Sequence, residues 1–249
     1  MGAAAGQGFG VDIGGSGIKG GVVDLATGRL IGERVRIATP NPSTPDAVAD
    51  VVAEIVAKFE WDGPVGVTLP AVVKNGITHS AANIDKAWLD TDAAAVFGKR
   101  LDRDVVVLND ADAAGMAEIR YGWPGDQKGV VVLLTFGTGI GSALFLDGKL
   151  VPNTEFGHLE IDGHDAETRA AASVKDEEDL SWDEWAQRVT RYISSLENLI
   201  WPDLIIVGGG VSKKADKWLP LLDVRTKIVA AELRNDAGIV GAAVAAAGA

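Results

Sequence analysis

The sequence predicts an α/β protein of two similar lobes, because the same glycine-turned β-hairpin occurs twice. The first hairpin is FGVDIGGSGIKG at 9–20, and the second is LLTFGTGIGSA at 133–143. Each joins two apolar strands, and each is followed by alternating helical and strand patterns. Such alternation is typical of a sheet covered by helices.

The two hairpins are related by a constant offset. When Asp12 is aligned on Thr135, Asp24 falls on Asp147, because both pairs are 123 residues apart (135 − 12 and 147 − 24). A duplicated fold that closes two phosphate-binding hairpins around one cleft would leave this trace.

The turns of both hairpins are predicted to bind phosphate. Glycine permits positive φ and lets backbone N–H groups approach an anion closely. The alternative, that the glycines only make tight turns, explains one hairpin but explains two related hairpins less well. The predicted phosphate-binding residues are Asp12, Gly14, Gly15, Ser16, Gly17 and Lys19 in the first hairpin and Thr135, Gly137, Thr138 and Gly139 in the second.

Two common nucleotide-binding motifs are excluded. Residues 15–20 match the dinucleotide fingerprint G-x-G-x-x-G, but that motif needs a helix next, whereas residues 21–31 have the pattern strand, turn, strand. The G-x-x-x-x-G-K-[ST] phosphate loop does not occur in the sequence.

Apolar patterns and capping residues place the remaining elements. The predicted strands are 9–13, 17–24, 29–37, 64–69, 105–108, 130–134, 140–146 and 204–207, with a short hairpin arm at 72–77. The predicted helices are 44–59, 111–121, one that begins at the capping box Ser181–Glu184, one after Gly208–Gly210, and 237–247. The core face of the helix that begins at the capping box is predicted to consist of Trp182, Trp185, Val189, Ile193, Leu196 and Leu199. We expect a small N-terminal lobe at 1–108 and a large C-terminal lobe at 109–236, with the final helix at 237–249 packing back on the first.

Composition narrows the function classes. The 249 residues include no cysteine, which excludes a disulfide scaffold and a thiolate metal site and favours a cytoplasmic protein. No apolar run reaches the length of a membrane span, and we expect no signal peptide. The net charge of −12 disfavours nucleic acid and anionic membranes as partners. A polyphosphate substrate would therefore need locally gathered cations, for which the candidates are Lys19, Arg120, Lys175, Lys213, Lys214 and Lys217.

Two acidic positions have catalytic potential. Asp12 enters its turn from a buried strand and could hold Mg²⁺, directly or through water, or could cap its own turn. Lys19 could contact phosphate or solvent. Asp110 follows a very apolar strand, where ligands bind in open α/β sheets, and could accept a proton from a substrate hydroxyl. Asp112 is its competitor, and a helix N-cap is its structural alternative.

Two further segments suit ligands. Glu155 and His158, in Glu155-Phe-Gly-His158, offer acceptors for the hydroxyls of a sugar. His158 and His164 could suggest zinc, but two histidines without a thiolate are weak grounds for it. Gly209 and Gly210 turn a strand into a helix, and this turn could contact a nucleotide because helix N-termini attract anions.

The chain resembles the ROK sugar kinases and, within them, the polyphosphate glucokinases. The segments that carry this resemblance, in chain order, are 12–19, 109–110, 134–141, 155–158 and 208–210. The resemblance extends over 8–245 and implies the two-lobed actin-like/hexokinase ATPase fold. It implies that Asp110 deprotonates the sugar 6-hydroxyl. It also implies sugar contacts from Asn83, Asn109, Asp110, Glu155, His158 and Glu167, of which Glu167 is the least regular match.

The chain departs from the family at two places. Most members carry a cysteine-rich zinc motif after the Gly-His pair, whereas residues 159–170 here contain no cysteine, as in the polyphosphate glucokinases. We therefore expect that the protein binds no zinc and that His158 is available to contact the sugar. Leu69-Pro-Ala71 stands where Pro-Gly is usual, with no consequence expected for catalysis.

The resemblance implies Mg²⁺-dependent phosphoryl transfer from polyphosphate, and from ATP, to the 6-hydroxyl of glucose. We also expect a homodimer. One alternative is an ATP-only ROK kinase for mannose, fructose or an N-acetyl hexosamine. Another is a sugar-sensing regulator without catalysis, which is disfavoured because about eight residues precede the first strand, too few for a DNA-binding helix-turn-helix.

Overall fold

The chain divides into two compact units in a computed structural model, which describes residues 6–81, 84–123 and 128–248. Unit 1 comprises Met1–Tyr121 and Asp236–Ala249, and unit 2 comprises Gly122–Asn235. Each unit has its own hydrophobic core around its own five-stranded sheet.

The elements follow the chain in an order that repeats a hairpin-rich set of strands. Up to Gly122 they are β1 (Gln7–Gly14), β2 (Gly17–Asp24), β3 (Arg29–Ile37), α1 (Pro45–Lys58), β4 (Val65–Leu69), β5 (Val73–Lys74), β6 (Ile77–Thr78), a 3₁₀ turn (Lys86–Trp88), α2 (Ala93–Leu101), β7 (Val105–Asn109), α3 (Asp110–Ala117) and a π-helical turn (Glu118–Gly122). From there they are β8 (Val130–Phe136), β9 (Ile140–Leu146), β10 (Lys149–Val151), a 3₁₀ turn (Phe156–His158), β11 (Glu160–Ile161), β12 (His164–Asp165), α4 (Glu167–Ala170), α5 (Ala172–Glu177), α6 (Trp182–Ile200), β13 (Leu204–Gly208), two 3₁₀ segments (Gly210–Lys217 and Leu219–Leu221), β14 (Lys227–Ala230), a 3₁₀ turn (Arg234–Asp236) and α7 (Ala237–Ala246).

The two main sheets have the same topology. The strand order is β3-β2-β1-β4-β7 in unit 1 and β10-β9-β8-β13-β14 in unit 2. In both, the first three strands are antiparallel, and the other two continue the sheet in parallel. The predicted duplicated α/β fold is therefore confirmed.

The two hairpins differ by one residue at their turns. In the first, Gly14 pairs with Gly17, whereas in the second Phe136 pairs with Ile140, so the second turn is one residue longer. The equal spacing in the sequence thus identifies two related hairpins, but their strands do not pair in the same register.

Local sequence signals explain the best-predicted helices. The Thr44 side chain caps α1 by accepting from the Ala47 amide, and the Ser181–Glu184 capping box opens α6. The core face of α6 includes Trp185 and Tyr192, which lie against Phe136. Leu199 was predicted on that face but is 63% exposed, at the last turn of the helix.

Other expectations need correction. The residues after Gly210 form an irregular 3₁₀ segment with a kink at Lys214, rather than the predicted helix continuing the glycine turn. The sequence patterns also missed α2 and β14. No helix in the described part of the chain is long and apolar enough to cross a membrane.

Helix α7 packs on the sheet of unit 1 through glycines. A Cβ at Gly10 would lie 1.8 Å from the Ile239 carbonyl oxygen, and one at Gly66 would lie 1.9 Å from the Ala242 carbonyl oxygen. On the other side, a Cβ at Gly241 would lie 1.8 Å from the Ala113 carbonyl oxygen of α3. Because α3 packs on α7, unit 1 continues to Tyr121, beyond the boundary expected at residue 108.

We expect Gly66→Ala to destabilise the protein by about 3 kcal/mol, because its methyl group would overlap a helix carbonyl that cannot move alone. The measurement is the free energy of unfolding in denaturant. Gly98→Ala in α2 is the matched control, since its Cβ would lie 3.4 Å from the Arg103 carbonyl oxygen and alanine favours helix. Equal stability of Gly66→Ala and wild type would contradict this packing.

Candidate active site

Asp12 lies near the C-terminal end of β1 and is held by residues of the two neighbouring strands. Its Oδ2 is 3.2 Å from the Lys19 Nζ of β2, and its Oδ1 accepts a hydrogen bond from the Thr68 Oγ1 of β4 at 3.0 Å. Gly238 of α7 lies so close that a Cβ there would be 2.8 Å from the Asp12 Cγ. Asp12 is thus oriented by side chains of β2 and β4, and Lys19 faces this carboxylate.

The first turn carries a cation that the sequence patterns did not single out. Arg36 of β3 donates to the Ser16 carbonyl at 2.9 Å, and a Cβ at Gly17 would lie 2.6 Å from its guanidinium. Arg36 comes opposite Lys19 in the β2–β3 register, a placement that the sequence patterns do not show. A cavity of about 190 Å³ adjoins this turn, lined in part by Ile13, Gly14, Gly15, Thr39, Ser43 and Pro70.

Asn109 caps helix α3, so Asp110 is its first residue. The Asn109 Oδ1 accepts from the Ala111 and Asp112 amides, and its Nδ2 donates to the Ala71 carbonyl at 3.2 Å. Asn109, rather than Asp110, is therefore the N-cap. Asp110 is half-buried, and its Oδ1 accepts from the Ala111 amide at 2.8 Å. Asp112 is 2% exposed, which closes it to a substrate hydroxyl.

Asn83, the remaining sugar-contact candidate of the first lobe, lies outside the residues that the structure describes.

The second hairpin and the glycine turn after β13 lie together in unit 2. Gly208 pairs with Thr135, and a Cβ at Gly209, whose φ is +81°, would lie 2.2 Å from the Phe136 carbonyl oxygen. Gly210 has open space around its Cα. The predicted phosphate and nucleotide residues of this unit are therefore neighbours.

The Glu155–His158 turn is fastened to the same hairpin. The Phe156 amide donates to the Ser142 Oγ at 3.0 Å, and a Cβ at Gly157 would lie 2.1 Å from the Ile140 carbonyl oxygen. A side chain at residue 157 would push the turn off β9. This close approach brings the two sugar-contact candidates next to the glycine turn of the second hairpin.

Glu167 joins these parts. Its Oε2 accepts from the Ile140 amide at 3.0 Å, and its Oε1 is 3.9 Å from the His158 Nδ1. Gly139 leaves the room for this carboxylate, since a Cβ there would be 2.3 Å from Oε2. Glu167 therefore contacts both the second hairpin and the Glu155–His158 turn.

Burial and neighbouring charge shift two pKa values in this cluster. Burial raises the pKa of the Glu155 carboxyl, His158 lowers it, and the Glu167 carboxylate raises it further. The hydrogen bond with Asp165 raises the pKa of the His158 imidazole above its ordinary 6.5, and the Glu167 and Glu155 carboxylates add to this against the cost of burial.

Two places have donor atoms suited to a cation. Asp12 could hold Mg²⁺ through water, because both its oxygens already have partners and the Lys19 ammonium would oppose a directly bound ion. Within the described residues, the donor atoms of His158, Asp165 and Glu167 lie within 4.8 Å of one another. The contact between His158 and Asp165 is a direct hydrogen bond of 2.8 Å.

The basic candidates for a polyphosphate groove lie at different places. In unit 2, the Lys175 and Lys214 ammonium groups lie 4.5 and 5.9 Å from the centre of the Trp182 ring. Lys213 and Lys217 are exposed on the 3₁₀ segment that carries Lys214. In unit 1, Lys19 is paired with Asp12, and the Arg120 guanidinium lies 5.5 Å from the centre of the Tyr121 ring.

Comparison with protein families gives a match between residues 8–172 and the model of the ROK family. This chain belongs to the ROK family. Among its ROK relatives, it is 59% identical over 240 residues to a polyphosphate glucokinase from Mycobacterium tuberculosis (strain CDC 1551 / Oshkosh), covering 96% of this chain and 91% of that protein. It is 28% identical over 314 residues to a glucokinase from Streptomyces coelicolor, covering 94% of this chain and 96% of that protein.

Solved ROK structures have the same fold. An inorganic polyphosphate/ATP-glucomannokinase from Arthrobacter sp. strain KM superposes with a TM-score of 0.92 at 56% identity, covering 97% of this chain and 98% of that one. A ROK glucokinase from Streptomyces griseus, in complex with glucose and AMPPNP, gives a TM-score of 0.83 at 26% identity, covering 98% and 100%. The resemblance to ROK kinases and the predicted actin-like/hexokinase fold are confirmed.

We expect Glu167→Ala to increase hydrogen exchange at the Ile140 amide about tenfold, because that amide loses its acceptor. Glu167→Gln keeps an acceptor oxygen and should have a smaller effect. Amide exchange followed by NMR is the measurement, and Glu160→Ala, at an exposed acid of β11, is the control. Unchanged Ile140 exchange in Glu167→Ala would show that this hydrogen bond does not hold the hairpin.

Proposed function

We propose that this ROK protein is a kinase that transfers a phosphoryl group from inorganic polyphosphate or ATP to the 6-hydroxyl of glucose. The observation that carries the proposal is 59% identity, over 96% of the chain, to a polyphosphate glucokinase. The two glycine hairpins, each with a polar side chain hydrogen-bonded beside it, support the proposal as candidate phosphate-binding turns.

Asp110 is the proposed base. It is half-buried at the start of α3, and the adjacent Asn109 takes over the capping of the helix. A carboxylate in this place can accept the proton of the attacking hydroxyl as the new O–P bond forms and the bond from phosphorus to the bridging oxygen of the donor breaks, which releases ADP or a shortened polyphosphate. Asp112 is enclosed by the fold, which favours Asp110 over it.

Contacts to its hydroxyl groups hold the sugar. We assign these contacts to Asn83, Asn109, Asp110, Glu155, His158 and Glu167. Glu155 and His158 are presented by a turn fixed on β9, so their acceptor and donor atoms are set before the sugar arrives. Asn109 also has a structural task, because its side chain bonds two helix amides and the Ala71 carbonyl.

The donor phosphates are assigned to the backbone amides of the two hairpins and of the Gly209–Gly210 turn. Mg²⁺, when bound near Asp12, would neutralise charge on the phosphates between donor and acceptor. Asp12 and Lys19 form an ion pair at the first hairpin, and this pairing of a negative with a positive group supports the assignment of a hydrated cation and a phosphate to this hairpin.

We expect Asp110→Asn to bind glucose within about threefold of the wild-type affinity and to lose about a hundredfold or more in kcat, because the amide cannot accept the proton. A coupled assay for glucose 6-phosphate and calorimetric glucose titration measure the two effects. Asp112→Asn, checked for folding, is the comparison. Near-normal turnover in Asp110→Asn would reject this residue as the base.

We assign the choice between polyphosphate and ATP as donor to the basic side chains of Lys213 and Lys214. We expect Lys213→Ala/Lys214→Ala to raise the KM for polyphosphate more than the KM for ATP, because a long polyanion extends past the hairpin while ATP does not. Lys58→Ala/Lys99→Ala, on helices α1 and α2, makes the same change in net charge and is the control. Equal effects on both donors would reject a groove at Lys213 and Lys214.

Mannose is the second acceptor to test, because the Arthrobacter protein of 56% identity is named a glucomannokinase. Product formation from glucose, mannose and fructose, with each donor in turn, separates this kinase from an ATP-only ROK kinase for another hexose. A homodimer and a cytoplasmic location complete the proposal. Light scattering of the purified protein would measure the first, and cell fractionation the second.

A further inference from the structure

Asp165 lies beside His158 although the sequence patterns did not single it out. The short hairpin of β11 and β12 returns the chain so that Asp165 pairs with Glu160 and its Oδ2 comes within 2.8 Å of the His158 Nδ1. No other hydrogen bond is recorded for the His158 ring among the described residues, and nearly half of its surface is exposed.

The Asp165 carboxylate is itself fixed. Its Oδ1 accepts from the Glu167 amide at 3.2 Å, and the Asp165 carbonyl accepts from the Thr168 Oγ1 at 2.6 Å. The neighbouring Ala166 amide donates to the Leu159 carbonyl at 2.9 Å, which closes the loop between the His158 turn and α4. These hydrogen bonds direct the Asp165 Oδ2 at the His158 imidazole.

A carboxylate can only accept a hydrogen bond, so the nitrogen facing it must carry the proton. Nδ1 of His158 is therefore the protonated nitrogen, and Nε2 is the one left for a ligand. The charged groups that act on this imidazole come from three elements, namely Glu155 on its own turn, Asp165 on β12 and Glu167 on α4. All three are acids, and they favour a proton on the ring.

We propose that Asp165 is a positioning residue that holds the His158 Nδ1–H and so fixes the ring with Nε2 toward a sugar hydroxyl. The inference rests on the proposed function for its ligand. It assigns to a carboxylate the task of setting the orientation and the tautomer of the histidine. Asp165 itself does not contact the sugar.

The first experiment reads the tautomer directly. The chain has three histidines, so ¹⁵N-histidine labelling gives three imidazole spectra, and His158→Gln identifies the one that belongs to His158. We expect a protonated Nδ1 in the wild type and in Asp162→Asn, and loss of this preference in Asp165→Asn. A wild-type ring with its proton on Nε2 alone, or with a metal ion on Nδ1, would overturn the proposal.

The second experiment reads the consequence for the sugar. We expect Asp165→Asn to raise the KM for glucose about tenfold, with a much smaller change in the KM for ATP, because a misdirected ring weakens sugar contacts alone. Asp165→Glu keeps a carboxylate and should recover part of the loss. Asp162→Asn removes an exposed acid of the same loop, paired with Arg191, and should behave as wild type.

The outcomes separate the two proposals. If the wild type forms no glucose 6-phosphate, the proposed function fails, whatever the tautomer. If the wild type is active but Asp165→Asn leaves both the tautomer and the KM for glucose unchanged, Asp165 is not a positioning residue. Equal rises in the KM for glucose and for ATP would also overturn it, because they indicate a general loss of structure.

Discussion

The close crossing of α7 over the sheet of unit 1 is the constraint on which the placement of Asp12 and Asp110 depends. At Gly10 and Gly66 there is no room for a side chain, since helix carbonyls lie within 2 Å of where a Cβ would be. The same helix approaches α3 equally closely at Gly241. The last helix of the chain therefore positions both the strand that carries Asp12 and the helix that begins at Asp110. The backbone contacts permit little sliding, because close-packed groups resist small displacements.

In unit 2, the candidate site residues are positioned by hydrogen bonds from the short segment that contains Asp165 and Glu167. Glu167 bonds the Ile140 amide of the second hairpin, and Asp165 bonds His158 of the turn that lies on β9. This sequence has no cysteine, so no thiolate ligand shapes this segment. Here the β11–β12 hairpin and the Ala166–Leu159 backbone bond give the segment its shape. Carboxylates held in this way can orient a histidine. The hydrogen bond to Asp165 raises the pKa of His158, and burial, with the nearby Glu167 carboxylate, raises the pKa of Glu155.

Sequence reasoning succeeded where the signal is local and failed where it depends on register. Thr44 and Ser181 predict the starts of α1 and α6, and the glycine turns predict both hairpins, because helix capping and turn formation depend on a few adjacent residues. The partners of Asp12 and His158 could not be predicted in the same way. Thr68 is 56 residues from Asp12, and Asp165 comes close to His158 only because a two-stranded hairpin folds back. Arg36 likewise gains its position from the pairing of β2 with β3.

The same distinction bears on the choice of phosphate donor. Backbone amides in a glycine turn contact the oxygens of a phosphate, and these oxygens are alike in ATP and in polyphosphate, so the hairpins alone cannot discriminate between them. Discrimination needs charge beyond the turn, in a chain whose net charge is −12. Lys175 and Lys214, from two elements, lie near one Trp182 ring, whose π-face attracts each cation and so keeps two like charges in one region. An anion bound there would also reduce the repulsion between the two ammonium groups, and a longer phosphate chain can reach more of the neighbouring lysines than a nucleotide can.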